Sequence, residues 1–398
     1  MAGTRRKPGR MGPHIWGFRI RLTELGYTPE TTREMLKVVG TLGRWMERRD
    51  VSPGELGSAA FVEFIDDCRR RGMRRVPSIR SLDPLLGFLR GEGVVGDLPS
   101  PSSPMEMLLA DYRAWLVTDR GLSETTIIRY EKLARRFLEQ HGGDGGIDVA
   151  SLDGKRIVAF LIQESERLSV GGAKGRVAEL RSLLKFLYLR GWTPRLLTTV
   201  VPPVAGWHDT GIPKSITATE VQSLLDHCDR TDPIGIRDYA ILILVARLGL
   251  RSIEVSRLEL GDIDWRGGQI VLRGKASRED GMPLPAEVGE ALSAYLSQAR
   301  PATPLRPVFL ACNAPIRGIR PDLVGDVTRR ACDRAGLARV GAHRLRHSLA
   351  TEMLRRGVTL TDISQVLRHR DLATTAIYAK VDSTTLRTIA LPWPEAQR

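Results

Sequence analysis

Cysteine is scarce in this chain. Its 398 residues hold four, Cys68, Cys228, Cys312 and Cys332. No two form a Cys-x-x-Cys pair, which argues against a thiolate zinc site and against a disulfide framework. Long apolar runs are missing as well. The most apolar stretch, Tyr239 to Ala246, ends at Arg247, far short of the ~20 residues that span a bilayer. No apolar run follows the basic N-terminal residues Arg5, Arg6, Lys7 and Arg10. No signal peptide is therefore expected, and the expected compartment is the cytoplasm. No block of like charge is longer than Arg69-Arg70-Arg71, so any basic surface has to be assembled by folding.

Charge of one sign is nevertheless in excess. Lys+Arg 60 against Asp+Glu 46 gives +14. A basic chain of this kind points to a polyanionic partner, nucleic acid before a membrane surface. Hydrophobic residues make up 42%, enough for packed cores, which excludes global disorder. The length suggests two or three domains of ~150 residues each.

Composition marks the boundaries. Residues 1–14 are basic and rich in Gly and Pro and read as a flexible arm. Helical patterning fills 15–96. A linker at 97–104 concentrates proline and serine, a second helical region runs over 105–197, and a linker at 198–212 carries Pro202, Pro203, Gly206 and Gly211. Residues 213–398 mix helices with short strands and end in a tail. The two helical regions look like a repeat. Gly26-Tyr27-Thr28-Pro29-Glu30 resembles Gly121-Leu122-Ser123-Glu124, Phe61–Ile65 parallels Ile157–Leu161, and Phe88-Leu89-Arg90-Gly91 parallels Tyr188-Leu189-Arg190-Gly191.

In the last region a helix over 237–248 places Ile241, Leu244, Val245 and Leu248 on one face, with Gly249 as its stop. Asp262–Trp265 and Gln269–Arg273 read as strands around Gly267-Gly268, with a third strand at Gly281–Leu284. Helices are predicted near 286–299, 321–335, 343–356, 361–369 and 372–380.

One helix face carries polar chemistry. His343, Arg346 and His347 fall within about 100° of arc, while Leu345, Leu349 and Met353 occupy another sector. A guanidinium beside two imidazoles suits an anion, and phosphate is the natural candidate; a solvated basic face is the plainer reading of this motif alone. His343, His347 and His369 make a poor metal set, because no carboxylate stands where a His-Glu-x-x-His site has one. Tyr378 alone reads as an ordinary core tyrosine.

The ordered set is more specific. Gly249-Leu250-Arg251-Ser252-Ile253-Glu254, Lys275 in a hairpin turn, His343-x-x-Arg346, His369 and then Tyr378 follow one another. The C-terminal ~185 residues thereby resemble the tyrosine recombinase family, the phage integrases and Xer-like enzymes, and the second helical region resembles its core-binding domain. The resemblance implies a mainly α fold: helical N-terminal bundles plus a mixed α/β catalytic domain with a small antiparallel sheet. It implies that Arg251 and Arg346 hold the scissile phosphate, that Lys275 is the hairpin lysine, that His343 and His369 assist, and that Tyr378 is the nucleophile. Glu254 and His347 match supporting positions. Among Lys275, His343 and His369 the acid and base roles stay open, with His343 the favoured base and Lys275 the favoured acid.

By the same resemblance the function is site-specific recombination or integration through a 3′-phosphotyrosyl intermediate, with no metal, ATP or other cofactor. The partner is double-stranded DNA, and assembly is a homo-oligomer, a tetramer on paired sites, or a set with companion recombinases. The extra region 15–96 favours a mobile-element enzyme. A catalytically silent DNA-binding protein and a type IB topoisomerase-like enzyme are the alternatives. Arg129, Lys132, Arg135, Lys174, Arg176 and Arg181 are candidate phosphate contacts, and Leu391-Pro392-Trp393-Pro394 is a candidate anchor onto a neighbouring protomer. One departure stands out. The family commonly has glycine before the histidine at 369, and here it is Arg368. A positive φ is costly for arginine, so Arg368 is expected in an ordinary helical conformation.

Overall fold

Hydroxyl and carboxylate side chains start most of the helices. In the computed structural model, which describes residues 7–96, 103–141, 149, 151–205, 215–273, 279–369, 375 and 378, Thr28, Ser78, Ser169 and Asp232 each accept a bond from a first-turn backbone N–H. Among the described residues no helix is long and apolar enough to cross a membrane.

The chain divides into two compact units, Gly96–His208 and a second made of Met1–Val95 with Asp209–Arg398. The first contains α5 (Pro104–Thr118), α6 (Glu124–His141), α7 (Gly154–Ser165) and α8 (Val170–Leu189). Tyr112, Phe137, Phe160 and Phe186 fill its core.

The second unit opens with a matching set: α1 (Ile15–Glu24), α2 (Pro29–Arg49), α3 (Ser58–Arg70) and α4 (Ile79–Gly91). The repeat legible in the sequence recurs in packing. Phe61, Phe64 and Ile65 are buried on α3, and Ile157, Phe160 and Leu161 are buried on α7 with the same spacing. Gly26 and Gly121, each just before the second helix of its set, both have positive φ. The closing segments are offset: Gly91 is still helical and the left-handed residue is Gly93, whereas Gly191 itself is left-handed.

Within 1–14, expected as a flexible arm, the described residues are folded. Gly9–His14 form a 3₁₀ helix and Met11 is buried. Gly43 on α2 makes room for it, since a Cβ there would meet the Pro8 carbonyl oxygen at 2.1 Å. The sequence separates 15–96 from 213–398. Their cores are indeed distinct, yet the Ile316 N–H donates to the Leu25 carbonyl at 2.8 Å within one compact unit.

The remaining elements are α9 (Ala218–Asp226), α10 (Pro233–Leu248), α11 (Ser252–Arg257), β1 (Ile263–Asp264), β2 (Gln269–Arg273), β3 (Glu279–Pro283), α12 (Ala286–Ala294), α13 (Pro321–Arg334), α14 (Ala342–Arg355) and α15 (Leu360–Val366). α10 is buried on every side rather than on the one face its periodicity suggests; even Arg237 and Asp238 are inside, paired at 2.7 Å. Such all-round burial marks the central helix of a domain. The three strands form an antiparallel sheet in the order β1-β2-β3, with Arg273 opposite Glu279. Ile270 and Leu272 face the core at the two-residue period of a strand. The mainly helical fold with one small antiparallel sheet is as expected.

Candidate functional site

The end of α10, the start of α11, the face of α14 and the end of α15 meet. Gly249 closes α10 in the left-handed conformation, φ +62. A Cβ there would lie 2.8 Å from a Leu367 methyl, so only glycine lets the turn approach α15 this closely. Arg251 then caps α11. Its N–H donates to Glu254 Oε2 at 2.8 Å, and its guanidinium meets Glu254 Oε1 at 2.7 Å. The same guanidinium donates to the Arg368 carbonyl at 3.3 Å.

Arg346 comes from α14 and is almost wholly buried, 1% exposed. Its guanidinium donates to the carbonyls of Gly249 and Leu367. Two adjacent carbonyls, those of Leu367 and Arg368, therefore hold the two arginines side by side.

His343 and His347 lie one turn apart on α14, ring centroids 4.3 Å from each other. His347 Nδ1 is hydrogen-bonded to the phenol oxygen of Tyr378 at 2.7 Å. The Tyr378 ring is 1% exposed and packs in a small cluster with Ala350, Ile363 and Leu367. His369 Nδ1 is hydrogen-bonded to Thr375 Oγ1 at 2.7 Å, and Thr375 is fully buried. Arg251, His343, Arg346, His369 and Tyr378 are thus gathered in one place. Lys275 lies outside the described residues; the strands on either side of it, β2 and β3, are paired with each other.

Comparison with known proteins reads the same residues as a family. Residues 214–385 match the phage integrase family. The candidate integrase/recombinase y4rA of Sinorhizobium fredii (strain NBRC 101917 / NGR234) is 40% identical over 397 residues, 98% of this chain and 96% of that protein. The chain belongs to the phage integrase family, the tyrosine recombinases. Tyrosine recombinase XerD of Listeria monocytogenes serotype 4b (strain F2365) is 29% identical over 293 residues, covering 72% of this recombinase and 97% of that one. The fold is shared with two DNA-bound crystal structures. XerH on a palindromic difH substrate, a post-cleavage complex, has TM-score 0.54 at 18% identity, over 74% of this chain and 97% of that one. A lambda integrase dimer bound to a COC′ core site has TM-score 0.54 at 15% identity, over 70% and 95%. The activity of the class is site-specific DNA recombination.

The recombinase site is strained electrostatically. Burial, then the charges of Arg346 and Arg251, lower the His343 pKa. Burial first, then neighbouring positive charge, pushes His347 and His369 each down to about 4. Burial and then Arg251 push Arg346 down to about 10. Burial raises the Tyr378 phenol to about 12, against the pull of Arg346. Arg346 and the three histidines are each made harder to charge by burial and by positive neighbours.

A pH dependence follows from the sign of these shifts. A histidine whose folded pKa is lowered contributes stability above its unfolded pKa of ~6.5, and that contribution is lost as pH falls toward the folded value. The urea midpoint of the recombinase is expected to fall as pH drops from 6.5 to about 4, and to fall less in His347→Gln. Superimposable profiles for the two proteins would contradict the burial of a neutral His347.

Arg368 departs from its sequence-based expectation. Its φ is +54, left-handed rather than helical. The turn explains why. The Arg368 N–H donates to the Gln365 carbonyl and the His369 N–H to the Ser364 carbonyl, both at 2.9 Å, the pattern of a Schellman helix end whose left-handed position usually holds glycine. Arginine is tolerated because its guanidinium reaches Glu254 Oε2 at 2.8 Å, both side chains being about nine-tenths buried. Glu254 is therefore shared by Arg368 and Arg251. Burial, the largest single influence, pushes its carboxyl up, but Arg368 and Arg251 together bring it below the ordinary range. Arg368→Ala keeps the left-handed strain and loses the ion pair, whereas Arg368→Gly loses the same pair and relieves the strain. Urea unfolding should find the Ala variant less stable than the Gly variant by about 1 kcal/mol. Equal stabilities would mean that position 368 carries no left-handed strain.

Two residues in contact with the nominated set were underrated from sequence. His347 reads as a support, yet it is the phenol's partner; its position four residues after His343 on one face was the available signal. Thr375 gave no signal, being one of two adjacent threonines in an otherwise apolar stretch, Leu372 to Ile377. The candidate phosphate contacts of the Gly96–His208 unit are largely engaged within it. Arg129 and Arg176 flank the buried Glu179 at 2.6 and 2.5 Å, Arg135 is paired with Glu106, and Arg181 donates to the Val201 carbonyl at 2.7 Å.

Proposed function

We propose that this recombinase cuts and rejoins duplex DNA through a covalent link between Tyr378 and a 3′-phosphate. The observation that carries this reading is the convergence of two arginines, three histidines and one phenol at the turn that ends α15. Arg251 and Arg346 bind the non-bridging oxygens of the scissile phosphate and stabilise the charge that grows on them in the pentavalent transition state. Arginine suits this work because its charge survives at neutral pH.

The phenol oxygen attacks phosphorus, its proton passes to a base, and the 5′-oxygen leaves. We assign the base to the His343–His347 pair. His347 is neutral at pH 7 and already bonded to the phenol, and His343 touches its ring. Lys275 is the proposed acid that protonates the leaving 5′-oxygen, and His369 the proposed donor to the phosphate. One phosphoester replaces another, so a second strand's 5′-hydroxyl can reverse the step without ATP. Strand exchange between two sites requires several protomers, hence a proposed tetramer on paired duplexes in the compartment that holds the DNA.

The test is capture of the intermediate. On a nicked duplex bearing the protein's own site, the cut strand should remain attached to Tyr378 after denaturation, as peptide mass spectrometry would read. A two-site supercoiled plasmid should yield recombinant circles; relaxation alone would favour the topoisomerase-like reading.

A further inference from the structure

The sequence between Asp67 and Asp83 holds six arginines, Arg69, Arg70, Arg71, Arg74, Arg75 and Arg80, and no acidic residue. In the fold these span the end of α3, the loop after it and the first turn of α4. Two adjoining grooves share Asp66 and Arg69. One, of 360 Å³, includes Val62, Ile79 and Arg80; the other, of 610 Å³, includes Arg49, Glu63 and Arg70. Carboxylates answer part of this charge. Asp66 pairs with Arg69 at 2.8 Å, and Asp67 with Arg48 and Arg71 at 3.4 and 3.5 Å. Arg49, Arg74 and Arg80 have no ion-pair or hydrogen-bond partner among the described residues.

We propose that this arginine surface of the N-terminal four-helix set is a second duplex-DNA contact, separate from the Gly96–His208 unit and from the site around Arg346. Unpartnered guanidinium groups suit phosphate, which they can bind through two parallel hydrogen bonds. Their spread over two helices and a loop suits a row of phosphates rather than a single anion. The equivalence of α3 and α7 supports the same occupant, because the matching helical region is the one read as the core-binding domain. The loop after α7 carries one arginine, Arg167, between Ser165 and Val170, where the loop after α3 carries Arg71, Arg74 and Arg75. At this position in the repeat the arginines are concentrated in the N-terminal copy. This inference rests on the DNA-acting reading above.

The experiment compares the full-length protein with its triple variant R49Q/R74Q/R80Q on a 40-base-pair duplex of random sequence. Fluorescence anisotropy gives Kd over a series of salt concentrations. Each lost phosphate contact should reduce the slope of log K against log salt by ~0.9. The triple variant is therefore expected to lose about 3 from the slope and to bind more weakly at low salt. R49K/R74K/R80K should keep the slope, and both variants should keep the wild-type thermal midpoint. If the glutamine variant retains wild-type slope and affinity, the surface is not a DNA contact. A changed sedimentation coefficient with unchanged DNA binding would assign it instead to protein association. If the wild-type protein itself fails to bind the duplex, the DNA-acting reading fails first.

Discussion

Tyr378→Phe should abolish the covalent protein–DNA adduct completely while leaving duplex affinity within a few fold. The phenol oxygen is the atom proposed to bond to phosphorus, and removing it leaves no substitute nucleophile on the ring. Among the described residues the same oxygen is hydrogen-bonded to His347 Nδ1. Its loss should cost stability only on the order of 1 kcal/mol, because the ring still fills the pocket beside Ala350, Ile363 and Leu367. Activity and stability therefore separate cleanly in this variant. An adduct that persists in the Phe protein would remove Tyr378 from the reaction.

Arg346→Ala should reduce the rate of strand cleavage by ~10²–10³, the scale for losing a donor aimed at developing charge. Here a fold cost accompanies the chemical one. The guanidinium is buried and serves the carbonyls of Gly249 and Leu367. Truncation strands both carbonyls, at roughly 1–3 kcal/mol for each group that water cannot reach. Arg346→Lys separates the two roles. A lysine restores positive charge and one set of donors but not the planar fork. It should regain more of the stability than of the rate. Single-turnover adduct formation at saturating protein measures the rate, and urea unfolding the stability. An unchanged cleavage rate in the Ala variant would refute the phosphate-binding role of Arg346.

What the sequence revealed and what it hid follow different physics. Element types were legible wherever caps and periodicity agreed. Gly249 ends α10 in the sequence as it does in space, whereas the start read at 237 lies at Pro233, behind the Asp232 cap. The repeat was legible because core positions on α3 and α7 share one spacing. The nominated residues came from the ordered resemblance to the tyrosine recombinases; Arg251, His343, Arg346, His369 and Tyr378 lie together, and Lys275 lies outside the described residues. Long-range pairings were not. Nothing near position 368 announces that Glu254, more than a hundred residues earlier, supports an arginine in a left-handed turn. The burial of Met11 depends on a missing side chain at Gly43, which no local pattern in 1–14 records. That His347 rather than His343 is bonded to the phenol rests on a contact between residues far apart in sequence, which no local pattern records.

The turn after α15 has a mechanical consequence. Its two successive carbonyls are each gripped by a different guanidinium, and the chain runs on from this turn to Tyr378. A displacement of that short stretch cannot reach one arginine without reaching the other. Moving residues 367 and 368 shifts a hydrogen-bond partner of each guanidinium at once, so Arg251 and Arg346 are coupled through this one turn.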